Sequence, residues 1–127
     1  MNETKVVKNP SGVVNLTPHT VKIVSDGVEY VIEPSGMVAR VSAVYNEAAP
    51  ARQLPNVTFV TREFGEVEGL PEPDGNMYIV SGFVLAAVEA SGDVRMDVVA
   101  PDTGPTAIRD DKNRILAVTR LIYPNFG

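Results

Sequence analysis

From Val13 onward, apolar and polar residues alternate mostly with a period of two, the spacing of strands that bury one face. The sharpest instance is VKIVSDGVEYVIE, residues 21–33. Its Asp26-Gly27 pair suits a type I′ turn, which needs positive φ at both central residues. A two-residue loop there sets Ile23 opposite Tyr30 and Val21 opposite Ile32. All four then share one face, while Lys22 and Glu29 lie on the other.

The same period predicts further strands. Glu33-Pro34-Ser35-Gly36 turns the chain into MVARVS, where Met37, Ala39 and Val41 alternate with Val38 and Arg40. YNEAAPARQLPN, residues 45–56, carries two prolines and little periodicity, and reads as an exposed loop. VTFVTREF is the next strand, and GLPEPDGN leads to a short apolar one, MYIV. One helix is predicted: Ser81 can cap it, FVLAAVEA runs without a break, and Gly92 can end it. Phe83, Ala87 and Ala90, with Val84 and Val88, give it a broad apolar face. VRMDVV then alternates Val94, Met96 and Val98 with Arg95 and Asp97. RILAVTRLI is apolar on both faces apart from Thr119 and its arginines, which implies a central strand or an oligomer interface. The expected class is mainly β with one α-helix, in an antiparallel or mixed sheet able to curl into a partial barrel. Residues 1–12 are polar and read as a flexible N-terminal arm, with 13–127 a single globular domain.

Composition narrows the function. A chain of 127 residues can bury one core. It has no cysteine, which excludes disulfides, zinc–thiolate sites and thiol nucleophiles and fits a reducing cytoplasm. A net charge of -5 repels a phosphate backbone, so no nucleic-acid partner is expected, although one local arginine pair can still hold a small nucleotide. No apolar run approaches the roughly 20 residues that span a bilayer, and MNETKVVKNPSG offers no apolar leader. No membrane partner is expected.

VVAPDTGPT contains Asp-Thr-Gly, the triplet of aspartic proteases. Those enzymes place the triplet early and follow it with a long flap, whereas here 23 residues follow Gly104 and prolines flank the turn. A turn capped by Asp102 is the expectation, not a protease. His19 is the single histidine, so nucleophilic triads and histidine-rich metal sites lack members. The carboxylates Glu66, Glu68, Glu72 and Asp74 match no calcium-loop spacing, and no glycine-rich phosphate loop is present. No catalytic residue, metal or cofactor is therefore expected. The loop residues Asp102, Thr103, Arg109 and Asp110 lie between two apolar strands, where binding residues concentrate. Arg109 can take a carboxylate or phosphate in its planar fork, with Thr103 donating a hydroxyl. The alternative is an ordinary surface cluster in which Arg109 pairs with Asp102, Asp110 or Asp111. Tyr45, Tyr78 or Phe83 would be available to stack a base.

VVNLTPHTVKIV, EPSGMVARVS, FGEVEGLPEPDGNMYIVSGFVLAA, DVVAPDTGP and RDDKNRILAVTRLI together resemble a group of small tailed-phage and prophage proteins, over about Val13 to Ile122. A weaker resemblance is to the phage anti-Thoeris sponges, β-rich oligomers that sequester cyclic ADP-ribose-type signals. The resemblance implies a non-enzymatic accessory protein of the host cytoplasm that sequesters a small anionic nucleotide, or else a structural or assembly protein with no such ligand. The apolar C-terminal strand adds the expectation of a homo-oligomer, a dimer or higher. Arg109, Asp102, Thr103 and Arg40 would then meet a ligand at its interface.

Overall fold

The computed structural model describes residues 4–126. In chain order the strands are β1 (Lys5–Lys8), β2 (Val13–Asn15), β3 (Val21–Ser25), β4 (Val28–Ile32), β5 (Arg40–Ala48), β6 (Phe59–Glu68) and β7 (Met77–Ile79). After α1 (Gly82–Ser91) follow β8 (Val98–Pro101), β9 (Ile108–Arg109), β10 (Ile115–Ala117) and β11 (Leu121–Ile122). The protein is mainly β with one helix, and its sheets are antiparallel or mixed, as expected. Among the described residues the strands divide into four separate sheets, none of them a closed barrel.

A mixed sheet of order β11-β8-β7-β2 forms the centre, with β2, β7 and β8 parallel and β11 antiparallel at one edge. Parallel strands need a long crossover, and α1 supplies it between β7 and β8. Covered on both faces, these strands read as apolar runs, MYIV and VVA, without polar alternation. Tyr78, Val80, Val98 and Ala100 join Leu16, Val84, Leu85 and Val88 on the helix side. Ile79 and Val99 point the other way, onto Val21 and Ile32. Burying each such aliphatic side chain contributes roughly 1.5–3 kcal/mol before entropy is counted.

The layer beneath is the sheet β1-β4-β3. The Asp26-Gly27 hairpin has the expected register, with Ile23 opposite Tyr30 and Val21 opposite Ile32. Asp26 has φ 50° and Gly27 φ 77°, as a type I′ turn requires. The predicted loose arm is corrected here, because Lys5–Lys8 form β1 in parallel with β4, its ends tied by Lys5 N–H to Gly27 O and Asn9 N–H to Val31 O. Polar side chains hid this strand, since it sits at a sheet edge and buries little. Residues 1–3 of that segment lie outside the described residues.

The helix starts and stops where expected. Ser81 Oγ accepts from Val84 N–H at 3.2 Å, and Gly92 takes the left-handed conformation, φ 75°. Three other expectations fail. The strand from MVARVS runs on to Ala48, so residues 45–48 of the predicted loop are β5, paired with Phe59–Arg62 of β6. VRMDVV is strand only from Val98, and its faces are inverted: Arg95 is buried at 8% exposure, while Val94 and Met96 are exposed. RILAVTRLI is not one central strand but two short ones, with Ile115, Leu116 and Ile122 exposed. Val118, between them, bridges to Ile23.

Candidate functional site

The predicted ligand residues separate into a self-bonded loop and one distant arginine. Asp102 follows β8, and its carboxylate is consumed locally. Oδ1 accepts Gly104 N–H at 2.9 Å, and Oδ2 accepts Arg120 Nη2 at 2.5 Å and Nε at 2.8 Å. The Gly104 amide first, then the Arg120 guanidinium, hold this carboxyl below its ordinary value. Arg109 spans the same loop, with Nη2 on Thr103 O at 2.9 Å and Nη1 on Asn113 O at 2.9 Å. Asp110 closes the β9–β10 turn by accepting Lys112 N–H, Arg114 N–H and Arg114 Nε. Asp102, Thr103 and Arg109 are thus brought together, but as a braced turn. Arg40 lies elsewhere, at the start of β5 opposite Glu68. Arg120 was missed by sequence reasoning. Its signal was the antiparallel pairing of Leu121 with Pro101, which sets Arg120 beside Asp102 but needs the sheet order to be seen.

The NLTPH corner is also structural. Asn15 is 1% exposed, and its Nδ2 donates to His19 O at 2.8 Å and Ile32 O at 2.9 Å. Oδ1 accepts from Thr17 N–H and from the Thr17 hydroxyl. The corner is therefore pinned by its asparagine, and the His19 ring is left at the surface. Tyr78 offers no face to a base, since it is buried with its hydroxyl on Asp74 Oδ2 at 2.5 Å. That bond lowers the Asp74 pKa and raises that of Tyr78. No group of three or more histidine, cysteine or acidic side chains suited to a metal occurs among the described residues.

A cleft of about 520 Å³ opens between β6 and α1, floored by Val67, Leu70, Ala87 and Val88. Its charged rim is acidic: Glu66, Glu72 and Asp93. Arg95 also reaches it, but that guanidinium is already committed, with Nε and Nη2 each 2.9 Å from an Asp97 oxygen and Nη2 2.7 Å from Pro71 O. Asp97, held low by Arg95, returns the compensation. The turn at Met96–Asp97 brings the pair onto one side, where the two charges lie inward together. The proline-rich stretch before β7 supplies the extra acceptor.

Beyond the cleft, β5 and β6 leave the body as a two-stranded arm. Only its base packs on the core, through Val41, Val67 and the neighbouring Leu70. A bulge between Val41 and Ala43 re-aims it, and Gly65 packs closely there, with Ser42 Oγ 2.5 Å from where a Cβ would stand. Phe64 then meets Phe83 of α1 edge to face at 5.2 Å, with the Arg62 guanidinium 4.9 Å and 5.1 Å from the two ring centroids. Farther out Val44, Tyr45 and Val60 are exposed, as are Leu54 and Val57 in the connecting loop. No helix among the described residues is long and apolar enough to cross a membrane. No family model, curated protein or solved structure matches the chain.

Proposed function

We propose that this chain is a non-enzymatic accessory protein, of the tailed-phage kind its sequence resembles, that works by assembling with itself through the β5–β6 arm. One observation carries this: a long two-stranded arm that touches the body no farther out than Arg62, with Val44, Tyr45, Leu54, Val57 and Val60 exposed. An isolated hairpin is marginal in water, and apolar side chains gathered on a projection are ordinarily covered by a partner. The arm takes over the part first given to the C-terminal strand. Light scattering on the eluting protein tests it, against a variant in which residues 47–60 are replaced by Asn-Gly, a two-residue turn closing the Asn46–Thr61 pair. The intact chain should be an oligomer and the shortened one a folded monomer. A monomeric intact chain at micromolar concentration refutes the proposal.

Sequestration of a small anionic nucleotide in the host cytoplasm stands second, favoured by Arg109 and Arg120, which both bond to the Asp102–Thr103 turn, and by Arg114, whose side chain is 70% exposed. Against it stand the acidic rim of the cleft and the carbonyls already filling the Arg109 fork. A melting temperature raised by ADP-ribose in the intact chain, but not in Arg114→Ala, would put it first.

A further inference from the structure

The arm and the cleft are complementary, and one chain cannot bring its own together. The loop at the arm's end, residues 49–58, holds Arg52 and no acidic residue. Two successive turns, Leu54 N–H to Ala51 O and Val57 N–H to Leu54 O, stiffen it. They leave Arg52, Leu54 and Val57 facing outward. Among the described residues Arg52 makes no ion pair. The cleft presents the converse, an apolar floor under the three carboxylates of Glu66, Glu72 and Asp93. It lies at the arm's root, beside Phe64–Val67, which pair with β5 at Ala43 and Val41. From Ala43 to Ala48 the hairpin extends about 17 Å at about 3.4 Å per residue, away from that root. The loop is thus held well clear of its own cleft.

Resting on the assembly reading, we infer that the arm loop of one copy seats in the β6–α1 cleft of the next, with Leu54 on the Leu70–Val88 floor and Arg52 among Glu66, Glu72 and Asp93. Each copy both gives a loop and receives one through two different surfaces. Such a contact is heterologous and runs head to tail, closing into a ring or continuing as a filament. The cleft is filled by protein and not by a small anion, which its carboxylates would repel.

Two variants test the contact: Arg52→Glu/Leu54→Asp spoils the loop, and Glu72→Lys/Asp93→Lys spoils the cleft. All four positions are exposed, so both chains should fold, which circular dichroism checks. Each should lose self-association by roughly a hundredfold, the scale of an interfacial anchor removed with its charge pair. Mixed in equal amounts, the two should form a one-to-one dimer, because one sound loop and one sound cleft remain between them. Wild-type oligomers that persist in both variants overturn this inference and leave self-assembly standing by another surface. Two monomeric variants that fail to combine overturn it as well. A monomeric wild type overturns the assembly reading itself.

Discussion

Arg95→Met keeps an unbranched stem of similar length and removes the guanidinium from a position only 9% exposed in its side chain. Three hydrogen bonds go with it, two to the Asp97 carboxylate and one to Pro71 O. Breaking a buried ion pair from one side destabilises by about 3–5 kcal/mol, since the partner charge is stranded. Asp97 keeps 20% of its side chain in water, so the lower end applies, about 3 kcal/mol. For a domain of this size that is roughly 10 °C in melting temperature. Urea unfolding followed by circular dichroism reads it directly. Asp97→Asn should lose less, about 1–2 kcal/mol, because Arg95 keeps the Pro71 carbonyl. The double variant should lose clearly less than the sum, as both charges are gone. A loss under about 1 kcal/mol for Arg95→Met, or strict additivity in the cycle, refutes the claim that this pair is a buried and coupled unit.

Asn15→Ala should destabilise by about 2–4 kcal/mol in the same assay, because it strands the His19 and Ile32 carbonyls and the Thr17 amide around a buried site. An unchanged midpoint would show that water replaces the amide without penalty. Ser81→Ala should lose about 1 kcal/mol and Ser81→Asp almost nothing, with amide exchange quickening in the first turn of α1. Equal losses in the two variants would remove the cap from the account. Stability should also fall in acid. Asp74, Asp97, Asp102 and Asp110 all have folded pKa values below 3.8. Their unfolded forms therefore take up protons first, and the stabilisation present above pH 3.8 is lost as pH drops through the lower folded values. A protein that grows more stable between about pH 4 and pH 2 contradicts this sign.

Local chemistry was legible in the sequence wherever neighbours in the chain are neighbours in space. The Asp26-Gly27 turn set its own register, and Ser81 and Gly92 bounded the helix, because each depends on a few adjacent residues. Arg95 and Asp97 show the limit. Alternation placed them correctly on one side, but a charged pair that neutralises itself can face inward as readily as outward. Only Pro71, far back in the chain, decides which. The same holds for β1, whose lysines suit a sheet edge as well as a loose arm, and for Tyr45–Ala48, whose polar residues suit an arm with no body beneath it. Among the predicted ligand residues, type alone favoured Arg109 as a clamp. Its partners turned out to be carbonyls of its own loop, which sequence does not advertise.

The order in which the central sheet gathers its strands also bears on how the chain is made. Val13 pairs with Met77, Tyr78 with Val98, and Ala100 with Ile122. During synthesis the β3–β4 hairpin can close as soon as its own residues emerge, and β5–β6 can follow, but β2, bridged early to Pro34, must wait for β7 before it has a strand ladder to join. Non-local pairings of this kind slow folding, since the connecting chain must be ordered before the contact rewards it. Until Ile79 and Val99 arrive, the nascent protein therefore carries a finished hairpin whose apolar side, Val21 and Ile32, is only partly covered, by neighbours such as Val13. That interval is when such a chain is most open to chaperone capture or to aggregation.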